Sequence, residues 1–285
     1  MLIDRRAAAV LLAIPLLFVL AFFAVPFGVV IIDSMRTGSG TFGLAQYSKL
    51  VEDWFHVEVL WFTLRVSLWV TLASFIIGYA MAYVMTRVVR KRWLRRVLYI
   101  IVITPLFTSN IVRSFGWMII LGRAGLVNQT LMGVGVIERP LSLLNSELSI
   151  VIGMTYIMTP FMVLTVATVL QNIDRSLEDA ACDLGATPLL SFLKVTFPLS
   201  VPGVIAGALI VFTLSVSAYV TPSILSGGKK TVMAMLIYQQ YATIFNFQFG
   251  AALAVALLLT TLVLLALSAL ASSDRLAVNR RRAAA

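Results

Sequence analysis

The sequence predicts an all-α membrane protein with six transmembrane helices and both termini in the cytoplasm, and three observations carry that prediction. Of its 285 residues, 60 % are hydrophobic and 12 % charged, far too little polar surface for a soluble globule. Six apolar segments reach the roughly 20 residues that a helical span requires. They lie at about 7–32, 60–85, 97–121, 148–170, 201–223 and 250–271. Lys and Arg crowd alternate connections between them, which is the pattern that orients a membrane protein. A single transmembrane domain over 1–285 is expected.

The first span follows Arg5 and Arg6. Its apolar run is longer than a signal-peptide core and no small-residue cleavage site follows, so it reads as a retained anchor. Between spans two and three, Arg87, Arg90, Lys91, Arg92, Arg95 and Arg96 fill a short loop, and Arg275, Arg280, Arg281 and Arg282 form the tail. Six spans place all of these on one side. The longer loops opposite hold Arg36, Lys49, Arg123, Arg139, Lys229 and Lys230. The positive-inside rule therefore accounts for the +10 net charge, with membrane lipid as the partner and no nucleic acid.

Within the spans, Pro15, Pro26, Pro105 and Pro160 read as membrane-helix kinks. Two cations fall inside apolar segments, Arg65 in span two and Arg113 in span three. Arg113 follows the polar run Thr108, Ser109 and Asn110, and span five ends with Ser215, Ser217, Tyr219 and Thr221. A guanidinium in lipid is costly unless it faces the bundle interior or water. Asn110, Arg113, Ser217, Tyr219, Thr221 and, if it does not snorkel, Arg65 are the candidate lining of a translocation path.

Residues 171–200 form a polar island between spans four and five. Ser176 and Asp179 give a capping-box spacing, and Leu177, Ala180, Ala181 and Leu184 fall at i, i+3, i+4 and i+7. Gly185 stands where a helix ends in a left-handed residue, Thr187 is placed to cap the next helix, and Pro188 suits its first position. Pro198 is expected to stop that helix, and Ser200 and Pro202 to start span five. Asp174, Glu178, Asp179 and Asp183 outnumber Arg175 and Lys194, so this loop is acidic where its cytoplasmic neighbours are basic. Orientation alone does not require that composition; a docking surface does.

Asp179-Ala180-Ala181, with Gly185, Val195, Phe197 and Pro198 at matching distances, resembles the EAA loop of ABC importer permeases. Asp179 stands where the family usually has Glu, with Glu178 beside it, and Phe197 replaces the usual Leu. GLVNQTLMGVG at 125–135 and AYVTPSILSGGKK at 218–230 are similar to the spermidine/putrescine type. The resemblance implies the type I ABC importer permease fold, with a cytoplasmic coupling helix carrying Glu178, Asp179, Ala180, Ala181, Asp183, Gly185 and Pro198. It implies as partners a second, homologous permease, two cytoplasmic ATPase subunits that use ATP and Mg²⁺, and a periplasmic or lipid-anchored substrate-binding protein touched by Gly227, Gly228, Lys229 and Lys230. The implied place is the bacterial inner membrane and the implied solute a polyamine. Two arginines near the path would repel a polycation, so a solute with an anionic group, such as an aminophosphonate, stands beside it.

Other classes fit less well. SGGKKT at 226–231 lacks the spacing and the Ser or Thr of a phosphate loop, so this chain is expected to bind no cofactor and hydrolyse no ATP itself. An ion-coupled secondary transporter places carboxylates or His within its spans. Here Asp4, Asp33, Glu52, Asp53, Glu58, Glu138, Glu147, Asp274 and the four acids of the island map to loops, tails or span ends, and the one His, His56, to an outer loop. With one His and one Cys, Cys182, there is no catalytic pair, no expected metal site and no internal disulfide.

Overall fold

The computed structural model describes residues 5–37 and 41–283. Asp4 and the side chains of Arg5, Arg6, Arg275, Arg280, Arg281 and Arg282 lie outside what is described. The chain divides into two compact units, one made of Met1–Glu58 and Met235–Ala285, the other of Val59–Ala234.

In the first unit, α1 (Arg5–Val19), a wide π turn (Leu20–Ala24) and α2 (Val25–Ser34) make a continuous apolar rod. The span Leu11–Ser34 has a mean hydropathy of 2.7 in its apolar window, and no residue of that window is buried in this chain, as in a helix facing lipid or another subunit; only Ser34, at its end, is fully buried. Pro15 sits inside α1, and Pro26 lies at the start of α2, just past the wide turn. The short α3 (Ala45–Glu52) and α2 both pack on α14 (Phe247–Ala283), and the Tyr47 hydroxyl donates to Ser34 Oγ at 2.8 Å. His56 is not the surface residue its loop position suggests. Its side chain is 14 % exposed, 3.5 Å from the Asp53 carboxylate and edge-on to the Phe249 ring at 5.1 Å.

The second unit contains the rest of α4 (Trp54–Tyr83), then α5 (Arg92–Ile103), α6 (Asn110–Leu121), α7 (Leu126–Gly133) and α8 (Glu147–Asn172). After these come α9 (Ser176–Asp183), α10 (Pro188–Ser191), α11 (Phe197–Val216), α12 (Val220–Leu225) and the start of α13 (Met233–Gln239). Its centre is the α8–α11 pair, with Met154, Met162, Val166, Leu170 and Val211 at 0–1 % exposure. Lipid is as apolar as these side chains, so helices in it associate by close packing at small residues. Gly207 shows this: a Cβ there would lie 2.5 Å from Thr165 Oγ1 and 2.7 Å from Met162 Sδ. At Gly203 it would meet Val169, and at Gly78 it would meet Met162, each at 2.8 Å.

Among the described residues, five helices are long and apolar enough to cross a membrane by themselves, and six spans are reached when one bent pair is counted as a single crossing. That pair corrects the expected third span. Segment 97–121 is not one kinked helix, because Arg92–Phe107 and Asn110–Gly133 meet at 100°. Pro105 lacks an N–H and stands in a tight 3₁₀ turn, Thr104–Phe107. Thr108 Oγ1 then donates to the Pro105 carbonyl at 2.8 Å, and Ser109 caps the new helix by accepting the Ile111 N–H at 3.3 Å. Pro160, by contrast, stays inside an unbroken α8.

Span five differs in both directions. Pro188–Val216 is one helical rod of 29 residues, so Pro198 does not stop the second island helix. A π turn at Phe192–Thr196 immediately precedes it, with the Phe197 N–H bonded to the Phe192 carbonyl. That wider turn moves the chain off the carbonyl that the proline ring would strike. At the other end the rod stops at Val216 and is interrupted at 217–219 before α12.

Candidate coupling helix and translocation site

The island is built as a rigid platform. Gly185 has φ +89°, and around it the Gly185 N–H bonds the Cys182 carbonyl at 2.9 Å and the Ala186 N–H bonds the Ala181 carbonyl at 3.0 Å. These two bonds are the Schellman termination that a left-handed glycine permits. Thr187 caps α10 through the Leu190 N–H at 3.3 Å, with Pro188 at its first turn. The expected Ser176 cap is corrected: Ser176 is already helical, and the Asp174 carboxylate accepts its N–H at 2.9 Å. Those bonds, first from the Ser176 backbone and then from its side chain, hold the Asp174 carboxyl below the usual carboxylate range.

The two neighbouring acids of α9 face opposite ways. Asp179 and Asp183 are exposed with Leu177, Ala180, Cys182 and Leu184, while Ala181 is half-buried. The apolar stripe read from the sequence thus exists but covers no core in this chain. Glu178 turns inward, and its Oε1 accepts from Thr196 Oγ1 at 2.7 Å and ion-pairs with Arg87 Nε at 3.1 Å. Arg87 is 6 % exposed and also donates to the Ile173 carbonyl at 3.0 Å, while Arg175 donates to the Thr86 carbonyl at 2.7 Å. Sequence reasoning counted Arg87 only as a topology charge. Nothing in a linear pattern links it to a residue 91 positions later.

The proposed path residues fall into two groups. Arg65 is not an isolated charge: it pairs with Glu147 at 2.5 Å, at the head of α8, and its guanidinium lies 5.7 Å from the Phe62 ring. Of the others, Thr221 meets α6, which carries Asn110 and Arg113: α6 packs on α12 and Ser114 Oγ donates to Thr221 Oγ1 at 3.0 Å. Arg113 donates to Asn110 Oδ1 within α6, and its Nε and Nη1 are buried with no hydrogen-bond partner among the described residues. Ser217, exposed, and Tyr219, half-buried, stand in the interruption between α11 and α12. Broken helices are tolerated at membrane depth where they line a cavity or are covered by protein. A mainly apolar recess of about 590 Å³ between α4, α5, α6 and α8 is lined by Ile77, Trp117 and Val151 and, on α8, also by Thr155, Tyr156 and Thr159.

Gly227 and Gly228 both adopt left-handed φ, +53° and +78°, and with Lys229 and Lys230 they form an exposed turn. Gly227 lies against the side chain of Asn145 with no room for a Cβ. Lys230 Nζ sits 5.8 Å from the same Phe62 ring that Arg65 faces.

The profile of the binding-protein-dependent transport system inner membrane component family matches residues 74–277. The spermidine/putrescine transport system permease protein PotB of Escherichia coli (strain K12) is 32 % identical over 216 residues, 76 % of this chain and 78 % of that one. The PotB of Haemophilus influenzae is 28 % identical over 90 % of each. A putative 2-aminoethylphosphonate transport system permease protein, PhnU of Salmonella choleraesuis, is 25 % identical over 80 % of each. Among solved structures, a bacterial ABC transporter involved in the import of the acidic polysaccharide alginate superposes with a TM-score of 0.76 over 94 % of this chain and 95 % of that one. At 17 % identity that likeness is one of fold. The chain belongs to the binding-protein-dependent transport system inner membrane components, multi-pass inner-membrane permeases with the type I ABC importer fold.

Proposed function

We propose that this chain is one of two permeases in an ABC importer for a polyamine, with α9 as the helix that docks on a cytoplasmic ATPase. The observation that carries the coupling role is the exposed apolar face of Leu177, Ala180 and Leu184 on a helix fixed by the Schellman turn at Gly185. A helix held this firmly with its apolar face uncovered suits a partner outside the membrane. The energy then comes from ATP and Mg²⁺ on two partner subunits, since no phosphate loop is legible in this chain, and the solute from a substrate-binding protein meeting the Gly227–Lys230 turn. Both termini and α9 are cytoplasmic in this reading. Cys182, the one thiol and exposed, checks that orientation. It is expected to label with an impermeant maleimide in inside-out vesicles and to stay unlabelled in spheroplasts; labelling from the periplasmic side reverses the topology.

The polyamine reading is supported by the relatives at 28–32 % identity. The Arg65–Glu147 pair supports it too, because it removes one of the two cations that argued against a polycation. A second reading is favoured by Arg113, whose two buried, unpartnered nitrogens suit an anionic group. Uptake by the reconstituted complex separates them. For a polyamine, Arg113→Gln leaves spermidine and putrescine uptake unchanged or raised, because water in the path screens a like charge to about a kcal/mol. If the solute carries an anion, the same change removes a charge-assisted hydrogen bond worth about 2 kcal/mol. Uptake of an aminophosphonate alone, lost in Arg113→Gln, would reject the polyamine and leave the importer reading intact.

A further inference from the structure

We propose that Glu178 is a positioning residue, which ties the coupling helix to the ends of three spans, and not part of the surface that meets the ATPase. The proposal rests on α9 being the docking helix and assigns the two adjacent acids different work. Asp179 lies on the exposed face. Glu178 points into the protein, where one oxygen serves two partners: Thr196 in the wide turn that leads into α11, and Arg87 in the wide turn Val84–Val88 that ends α4. Arg87 in turn holds the Ile173 carbonyl at the end of α8, and the Glu178 carbonyl accepts from Ser191 Oγ at 3.4 Å.

The placement of this pair matters because of what else joins α9 to the spans. On one side are residues 173–175, on the other the left-handed turn at Gly185, both short backbone connections. Side-chain bonds from Glu178 and Arg175 add a third fastening between them. Beneath them, Tyr79, Tyr83, Phe192 and Phe197 interlock with ring centroids 5.1–6.1 Å apart, and Tyr79 and Ser200 share a hydrogen bond of 2.8 Å. The ends of α4 and α11 are thus already one block. Glu178 fastens α9 to that block, so a pull on α9 moves two spans together. Both fastening points are π turns, where a helix carries an extra residue per turn and where bends and functional sites concentrate. The nearly buried Arg87 guanidinium makes the tie specific, since a neutral partner leaves its charge uncompensated.

The test uses the complete importer, with its ATPase and binding protein, in proteoliposomes. Glu178→Gln and Arg87→Gln are each expected to keep the ATPase bound and ATP hydrolysis running. Stimulation by the loaded binding protein disappears and uptake falls on the order of tenfold, the scale of a lost coupling interaction. Exchanging the charges, Arg87→Glu with Glu178→Arg, is expected to return part of the stimulation. Should that double variant fail to accumulate in the membrane, Arg87→Lys takes its place and is expected to couple better than Arg87→Gln. Wild-type coupling in both single variants overturns the proposal. So does loss of the ATPase from the Glu178→Gln complex, which would put Glu178 at the docking surface, and so does failure of whichever pairing is scored to improve on the single changes. The docking role of α9 is read separately, from ATPase retention in Asp179→Lys.

Discussion

Gly185→Val and Asp179→Lys are each expected to abolish the stimulation of ATP hydrolysis by loaded binding protein while the permease still inserts. Position 185 has φ +89°, a conformation that a β-branched residue adopts at a cost of about 1–3 kcal/mol. No neighbour would obstruct the new side chain, since nothing lies within 4 Å of a Cβ there. Backbone strain is the whole effect, and it falls on the two hydrogen bonds that end α9. A free-energy change of that size shifts a coupled equilibrium by about 5–150-fold. Asp179→Lys acts at the surface instead, reversing a charge on the exposed face without touching the Arg87–Glu178 pair. The first variant should weaken coupling through geometry and the second through loss of the bound ATPase. Co-purification and stimulated hydrolysis measure the two separately. Normal stimulation in both, with the complex intact, would remove α9 from the coupling path.

Gly207→Val should have the largest effect on the folded permease. The α8–α11 pair closes so tightly at this position that even a methyl group would stand 2.5 Å from Thr165 Oγ1 and 2.7 Å from Met162 Sδ, with the α8 backbone at Met162 Cα 3.5 Å away. The obstacles are the Thr165 hydroxyl and the buried Met162 thioether, while the Met162 Cα is at ordinary contact distance, so either those two side chains shift or the helices separate. Overpacking of a closed core costs about 1–3 kcal/mol, and here it falls on the small faces on which helix association in lipid depends. The expected result is a lowered melting temperature and early aggregation of the detergent-solubilised protein. Gly116→Val in α6 is the comparison, because nothing lies within 4 Å of that site. Equal stability of the two variants would mean that α8 and α11 do not close on each other at Gly207.

Much of the island was legible in the sequence, and for a local reason. A left-handed glycine, a threonine cap and a proline at a first turn act within four or five residues, so Gly185, Thr187 and Pro188 appear where spacing placed them. Ser176 misled because the helix already includes it, and the Asp174 carboxylate, two residues earlier, takes the Ser176 N–H that Asp179 would accept in a capping box. Pro198 misled because the π turn at Phe192–Thr196 moves the chain ahead of it off the carbonyl its ring would strike, so the helix runs on.

The sequence by itself determined the class, the apolar segments that serve as spans and the existence of a short helix with one apolar face outside them. Each of these follows from hydropathy, period and caps, which neighbouring residues set. Tertiary structure alone decided which of two adjacent acids faces outward. It also decided that Arg65 is neutralised by a residue 82 positions away, that Arg113 keeps two buried nitrogens without a partner among the described residues, and that Ser114, beyond the break in span three, meets Thr221, beyond the break in span five. For the charged groups the reason is the same. A charge in a membrane protein takes its meaning from the partner that compensates it, and that partner comes from another helix, at a sequence distance that no local pattern records.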